Sequence, residues 1–209
     1  MKRLVPPILA ALALAVVGVR ASAQPAPAPS ATTMTPAEVC LDHQGQHEDA
    51  ERLKACGDAL AAASDGDIVV RTRLLVARGL YYYRHSQNDL ALKDFDAATA
   101  LDPKNDAADY DRGLVMIEIG RLDRAIREFN ADLRLDPADA DAYSAKGECY
   151  RRLEDNLLAM EALDTALRIQ PKLALAWWRR GLVKDALGDA AGARSDKQQA
   201  KALDPDVDK

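Results

Sequence analysis

From residue 72 to residue 203 the apolar positions keep helical spacing and fall into blocks of fixed length. In the third block Tyr143, Gly147 and Tyr150 lie on one stripe, and Ala159, Leu163 and Ala166 lie on another. Steps of three and four residues bring side chains onto one face of an α-helix, so each block predicts two amphipathic helices. Short breaks separate the two, such as "EIGRLD" around Gly120 and "ALGDAAG" around Gly188. A proline then closes each block, because it cannot donate the i→i−4 hydrogen bond that would continue a helix. Pro103, Pro137, Pro171 and Pro205 recur every 34 residues. Gly79, Gly113, Gly147 and Gly181 keep the same period, as do Ala91, Ala125, Ala159 and Ala193. Small residues at fixed phase let paired helices approach closely, so the pattern reads as helix, turn, helix, turn, four times over. Upstream, "AEVCLDHQGQHEDAERLKACGDALAAA" predicts two shorter helices around a break near Gln46, set off from the first block by "SDGD" at 64–67.

These columns resemble the tetratricopeptide repeat family, whose 34-residue pattern is W-x2-LG-x2-Y, A-x3-F, P. The units begin at Thr72, Asp106, Ala140 and Ala174. The first unit carries Leu75, Gly79, Tyr82, Ala91, Phe95, Ala98 and Pro103 in phase, and the third carries Tyr143 through Pro171 as given above. The second departs at Asp109 and Asp132, and the fourth, which has Trp177, departs at Lys184 and Lys197. A polar outer face suits a terminal repeat, since solenoid ends need capping. The resemblance implies an all-α solenoid of antiparallel helix pairs wound as a right-handed superhelix. The expected division is 37–68 for a degenerate N-terminal helical pair, 69–205 for four repeats and 206–209 for a tail.

Phase also separates the three tyrosines of "RGLYYYRHSQND". Consecutive helical residues turn by about 100°, so the rings fan apart and form no single cluster. Tyr82 falls on the packed stripe, Tyr81 on its flank, and Tyr83 on the opposite stripe, which in the resembled family lines a concave groove. Positions 2, 5, 9, 12 and 13 of each first helix complete that stripe. The first unit offers Arg73, Val76, Leu80, Tyr83 and Arg84, and the second offers Tyr110, Leu114 and Ile117. The third offers Glu148, Arg151 and Arg152, and the fourth offers Trp178 and Leu182. Tyr, Trp and Arg are enriched at binding hot spots. The expectation is that Tyr83, Tyr110 and Trp178 anchor an apolar or amphipathic peptide, with Arg84, Arg151 and Arg152 pairing its acidic groups. The bland alternative is that Leu80, Leu114 and Leu182 only pack on adjacent helices.

The N-terminus belongs to a different class of segment. Lys2 and Arg3 precede the apolar run "LVPPILAALALAVVGV", and "ASA" at 21–23 fits a small-x-small cleavage site, so 1–23 reads as a signal peptide. The run is shorter than the ~20 residues a spanning helix needs and contains Pro6 and Pro7. Residues 24–36, rich in Pro and Ala, read as an extended linker. The expectation is an exported protein, periplasmic or secreted, with no stable membrane insertion after cleavage. Apolar residues make up 48% of the chain and aromatic ones only 5%, which suits a helical core built on Ala and Leu. Cutting after Ala23 removes three of 28 cations and none of the 33 acids, so the net charge falls from −5 to −8. That balance opposes nucleic acid as a partner.

Cys40 and Cys56 lie on the two helices of the N-terminal pair, and an oxidising compartment favours a disulfide between them. The competing reading joins them with His43 and His47 as four zinc-ligand types, in a spacing that matches no known zinc motif. Cys149 has no obvious mate and reads as a buried thiol. His85 reads as solvated near an inter-helix turn. The chain shows no phosphate-cradling Gly loop, nucleophile elbow or H-E-x-x-H motif. Its carboxylates crowd at turns and helix starts, where they complement the helix dipole. The resulting expectation is a non-enzymatic scaffold without cofactor, binding a protein or peptide in the groove. A metal-dependent activity at the Cys/His pair and a homo-oligomer made by repeat-on-repeat packing are the other two readings.

Overall fold

A computed structural model describes residues 34–42 and 48–208. The predicted signal peptide, residues 24–33 of the linker, His43, His47 and Lys209 lie outside the described residues. Ten α-helices and no strand occur among the described residues. They run α1 (Pro36–Cys40), α2 (Asp49–Ala62), α3 (Ile68–Arg84), α4 (Asn88–Leu101) and α5 (Asp106–Glu118). Then follow α6 (Leu122–Leu135), α7 (Ala140–Arg152), α8 (Asn156–Ile169), α9 (Ala174–Ala186) and α10 (Ala190–Leu203). Each helix packs on the next, and α3–α4, α5–α6, α7–α8 and α9–α10 are the four expected hairpins. No described helix is long and apolar enough to cross a membrane.

The glycine column explains the close approach within each hairpin. A Cβ at Gly79 would meet Phe95 at 2.6 Å, at Gly113 Phe129 at 2.5 Å, at Gly147 Leu163 at 2.6 Å, and at Gly181 Lys197 at 2.8 Å. One side chain of every second helix therefore fills the notch left on the first. The alanine column sits beside it, with Ala91, Ala125, Ala159 and Ala193 buried. The acids at the turns cap helices: Asp139, Asp155 and Asp189 accept hydrogen bonds from the backbone N–H groups of Ala142, Leu158 and Gly192. The helix α3 starts one turn before Thr72, and the extra turn leaves Ile68, Val69 and Val70 exposed.

A polar column runs through the hairpins at the same period. Arg78, Arg112, Lys146 and Arg180 each reach a partner sixteen residues away: Asp94 at 2.7 Å, Glu128 at 3.0 Å, Asn130 at 2.9 Å, and both Asp164 and Asp196 at 2.7 Å. Arg112 also pairs with Asp96 and with the buried Asp109, one of the two residues where the second unit departs from the family pattern. Burying a carboxylate costs less when a guanidinium and hydrogen bonds accompany it, so this departure is absorbed within the ladder.

At the N-terminus Cys40 and Cys56 form a disulfide across α1 and α2. Val39, Ala55, Ala59 and Leu74 close the core around it, which ties the short pair to α3. Both thiols of the four-ligand zinc reading are therefore consumed, and the described residues contain no group of three or more His, Cys, Asp or Glu able to hold a metal. Cys149 is a buried free thiol, and burial pushes its pKa to about 12, which leaves it an inert core residue.

Candidate partner-binding groove

Curvature follows from which helices touch. The first helices meet their counterparts in the next hairpin, α3 with α5, α5 with α7 and α7 with α9, while α4, α6, α8 and α10 make no contact with one another. The first helices therefore line the inside of the curve. Two cavities lie on that inner face. The smaller, about 170 Å³, is lined by Leu41, Arg73, Val76, Ala77, Leu80, Asn105 and Ala107. The larger, about 550 Å³, is lined by Tyr83, Leu114, Ile117, Glu118, Glu148, Arg152, Leu175, Trp178, Arg179, Leu182, Val207 and Asp208. Ten of the thirteen residues named for the groove fall in these two cavities, joined by Ala107, Glu118 and Leu175 from the same stripe positions. Arg84, Tyr110 and Arg151 line neither.

Those three have other contacts. Tyr110 leans on Phe129, with ring centroids 5.7 Å apart, and joins the core of its own hairpin. Burial and the nearby Asp141 push its hydroxyl pKa well above the usual phenol range. Arg84 is the cation facing Asp111, a carboxyl that burial raises to about 7 and Arg84 partly restores. Arg151 donates two hydrogen bonds of 2.8 Å to Glu148, and Arg152 donates one of 2.7 Å to the same carboxylate. Burial would raise the pKa of Glu148, but these donors outweigh it and hold the group below the ordinary value. Two of the three arginines assigned to a partner's acids, Arg151 and Arg152, are thus engaged within α7. The tyrosine triplet divides as phase requires: Tyr82 packs toward Phe95, Tyr81 stacks on His85 at 4.2 Å, and Tyr83 joins both the core and the larger cavity. His85 is exposed, with Nε2 3.4 Å from Asp49.

Phase reasoning missed Arg179, Val207 and Asp208. Arg179 projects into the larger cavity and donates from Nη1 to Ser144 at 2.9 Å; burial lowers its pKa. It occupies position 6 of its unit, next to Trp178, so widening the stripe by one residue would have found it. Val207 and Asp208 come from the segment after α10, outside the repeat phase, and no periodic signal marks them. Asp208 is anchored by Lys201 at 2.6 Å, and Lys201 and Lys197 both lie over the Trp178 ring. Trp177, by contrast, is partly buried against the core of the third and fourth hairpins: its Nε1 donates to the Pro171 carbonyl at 2.9 Å, and Arg180 covers its ring.

The profile of the family described as tetratricopeptide repeat matches residues 76–137 and 110–174. The chain belongs to the tetratricopeptide repeat family. Solved structures of the family share its fold. MamA 41-end from Desulfovibrio magneticus RS-1 is 22% identical, with a TM-score of 0.66 over 83% of this chain and 93% of that one. A further MamA structure is 22% identical, with a TM-score of 0.63 over 76% and 90%. YrrB, described as a TPR protein with an unusual peptide-binding site, is 18% identical, with a TM-score of 0.57 over 76% and 79%. No curated protein matches the chain.

Proposed function

We propose that this repeat protein is a non-enzymatic scaffold that holds an apolar or amphipathic segment of a partner protein in the larger groove cavity. The observation that carries the reading is that Leu175, Trp178 and Leu182 share one open cavity with Tyr83, Leu114 and Ile117, residues from α3, α5 and α9. Apolar surface kept open on a face lined by several helices marks an interaction site. Its charges are internally balanced by the Glu148 pairs, which favours recognition by apolar contact, with Arg179 and Glu118 setting polarity at the edges. The peptide-binding site ascribed to YrrB supports the same use of a related fold. The leader-like 1–23 segment and the Cys40–Cys56 disulfide both support an exported setting.

The test is Leu175→Glu. Leu175 is 38% exposed, so a carboxylate there leaves the helix core alone while charging the cavity wall. Crosslinking of the full chain in its native setting should capture a partner that this variant loses at an unchanged melting temperature. Undiminished capture would remove the groove from the reading.

A further inference from the structure

A third cavity, of about 350 Å³, opens beside the turn between α5 and α6 and shares no lining residue with either groove cavity. Gly120, Arg121, Leu122, Asp123, Arg124, Arg127 and, from the next hairpin, Leu153 surround it. Arg121, Arg124 and Arg127 are spaced by three residues along α6 and are all exposed on one side of the helix. None of the three makes a side-chain hydrogen bond or ion pair among the described residues. The chain has 33 acids for 28 cations, and Arg78, Arg112, Arg151, Arg152 and Arg180 are all held by carboxylates. A shortage of acids does not explain three adjacent arginines left open.

Their placement also costs stability. Arg121 and Arg124 stand at the N-cap and in the first turn of α6, where a cation faces the positive end of the helix dipole. Arg121 is the N-cap of α6 and provides no side-chain cap, whereas the equivalent Asp155 and Asp189 both cap their helices. Beside the guanidinium groups lie two apolar walls, Leu122 and the 44% exposed Leu153. Guanidinium groups bind carboxylates in a two-pronged geometry, and arginine stems and leucines together offer apolar contact.

We infer that this cavity is a second docking site, for a short acidic, leucine-bearing segment of a protein partner, so that the scaffold can hold two segments at once. A short segment meets three arginines against the single carboxylate of Asp123, a locally positive patch. A long polyanion or an anionic membrane meets the whole acidic molecule and is opposed by it.

The probe is a short fluorescein-labelled peptide of glutamates and leucines, followed by anisotropy with the full chain at low salt. Saturable binding is expected, weakened about tenfold or more by the triple change R121Q/R124Q/R127Q and weakened by added salt. R134Q, on an exposed arginine at the far end of α6, should leave it unchanged, as should L175E in the groove. The triple variant should unfold no earlier than the parent, since all three side chains are exposed and removing the charges of Arg121 and Arg124 relieves the dipole clash. Absence of saturable binding, or equal loss in R134Q, overturns the site. Loss in L175E assigns the peptide to the groove and also overturns it. Binding of phosphatidylglycerol vesicles that depends on the three arginines, in place of the peptide, overturns it in favour of a membrane surface.

Discussion

The second and fourth hairpins solve one packing problem with opposite chemistry. Under Gly113 the notch is filled by Phe129, which is fully buried and continuous with Met116, Ala125 and Cys149 of the surrounding core. Under Gly181 the same notch holds the stem of Lys197, whose ammonium reaches out to Asp185. The second hairpin has helices on both sides, so its notch must be dry. Among the described residues the fourth has a neighbour on one side only, and a long cation can fill the gap with methylenes while its head stays in water. Position in the stack, more than position in the repeat, decides which residue type closes the wedge.

The largest contrast should come from deleting the two fillers. Phe129→Ala removes a large ring from a sealed core and is expected to cost about 3–5 kcal/mol. Lys197→Ala should cost about 1 kcal/mol, because it removes a partly exposed stem and an ion pair with the half-exposed Asp185. Urea unfolding of both variants checks the pair; equal costs would mean that the terminal hairpin is as enclosed as the internal one.

Acid–base behaviour separates the same two hairpins by sign. Asp111 on α5 is raised from 3.8 to about 7 by burial, against the opposing charge of Arg84. The folded state holds its proton more tightly than the unfolded chain, so its contribution is most favourable below about pH 4 and declines as pH rises to about 7. Asp196 on α10 runs the other way. Burial would raise it, but hydrogen bonds from Arg180 and Lys184 outweigh that and lower its pKa. Its stabilisation is present above its unfolded pKa and is lost as pH falls through the folded one. Asp111→Asn should therefore flatten the decline between pH 4 and 7 by a few kcal/mol. Asp196→Asn should lower stability at neutral pH and narrow the gap to the parent in acid. Stability curves against pH that shift in the same direction for both variants would contradict the assignment.

The glycine notches give a smaller test. Gly113→Ala drives a methyl into an aromatic ring that is buried on all sides, for a net loss of about 1–2 kcal/mol after the gain in helix propensity. Gly181→Ala meets a lysine stem that has room to swing outward, but the Ala193 carbonyl lies 3.1 Å away, so it should cost less than Gly113→Ala without reaching zero.

These contrasts mark where the sequence was legible. The hairpins, their boundaries at proline and the wedge at glycine were readable because each repeats with a fixed period, and a period survives any single substitution. The groove stripe was readable for the same reason, and Tyr83, Leu114, Trp178 and Leu182 stand together in the larger cavity. Periodicity does not report whom a charged side chain pairs with. Arg151 and Arg152 occupy groove positions, yet Glu148 three and four residues earlier captures both. Tyr110 has the right phase, but the ring of Phe129 draws it into the core. The Arg78, Arg112, Lys146, Arg180 column keeps the same 34-residue period, but a charged position on a helix reads as solvated until its carboxylate or amide partner sixteen residues away is placed beside it. Val207 and Asp208 lie past the last repeat, where phase carries no information.

The turns inside the hairpins sharpen the comparison at the smallest scale. The second and fourth hairpins turn through Gly120 and Gly188, with φ of 74° and 83°. The first and third turn through Ser86 and Glu154 in the same left-handed region, at 55° and 62°. A side chain there costs about 1–2 kcal/mol of backbone strain, and glycine returns roughly 0.5–1 kcal/mol of that through its larger unfolded-state entropy. Glu154→Gly is therefore expected to stabilise the protein by about 0.5 kcal/mol. Gly120→Ala should destabilise it by a similar or slightly larger amount. A Cβ at Gly120 would meet nothing within 4 Å, so crowding cannot account for that loss and backbone conformation alone must. If urea midpoints move in opposite directions for the two variants, the four turns share one conformational requirement that two hairpins meet with glycine and two meet under strain. If Glu154→Gly destabilises, the glutamate side chain contributes more to the third hairpin than its exposed position indicates, and the equivalence of the turns fails.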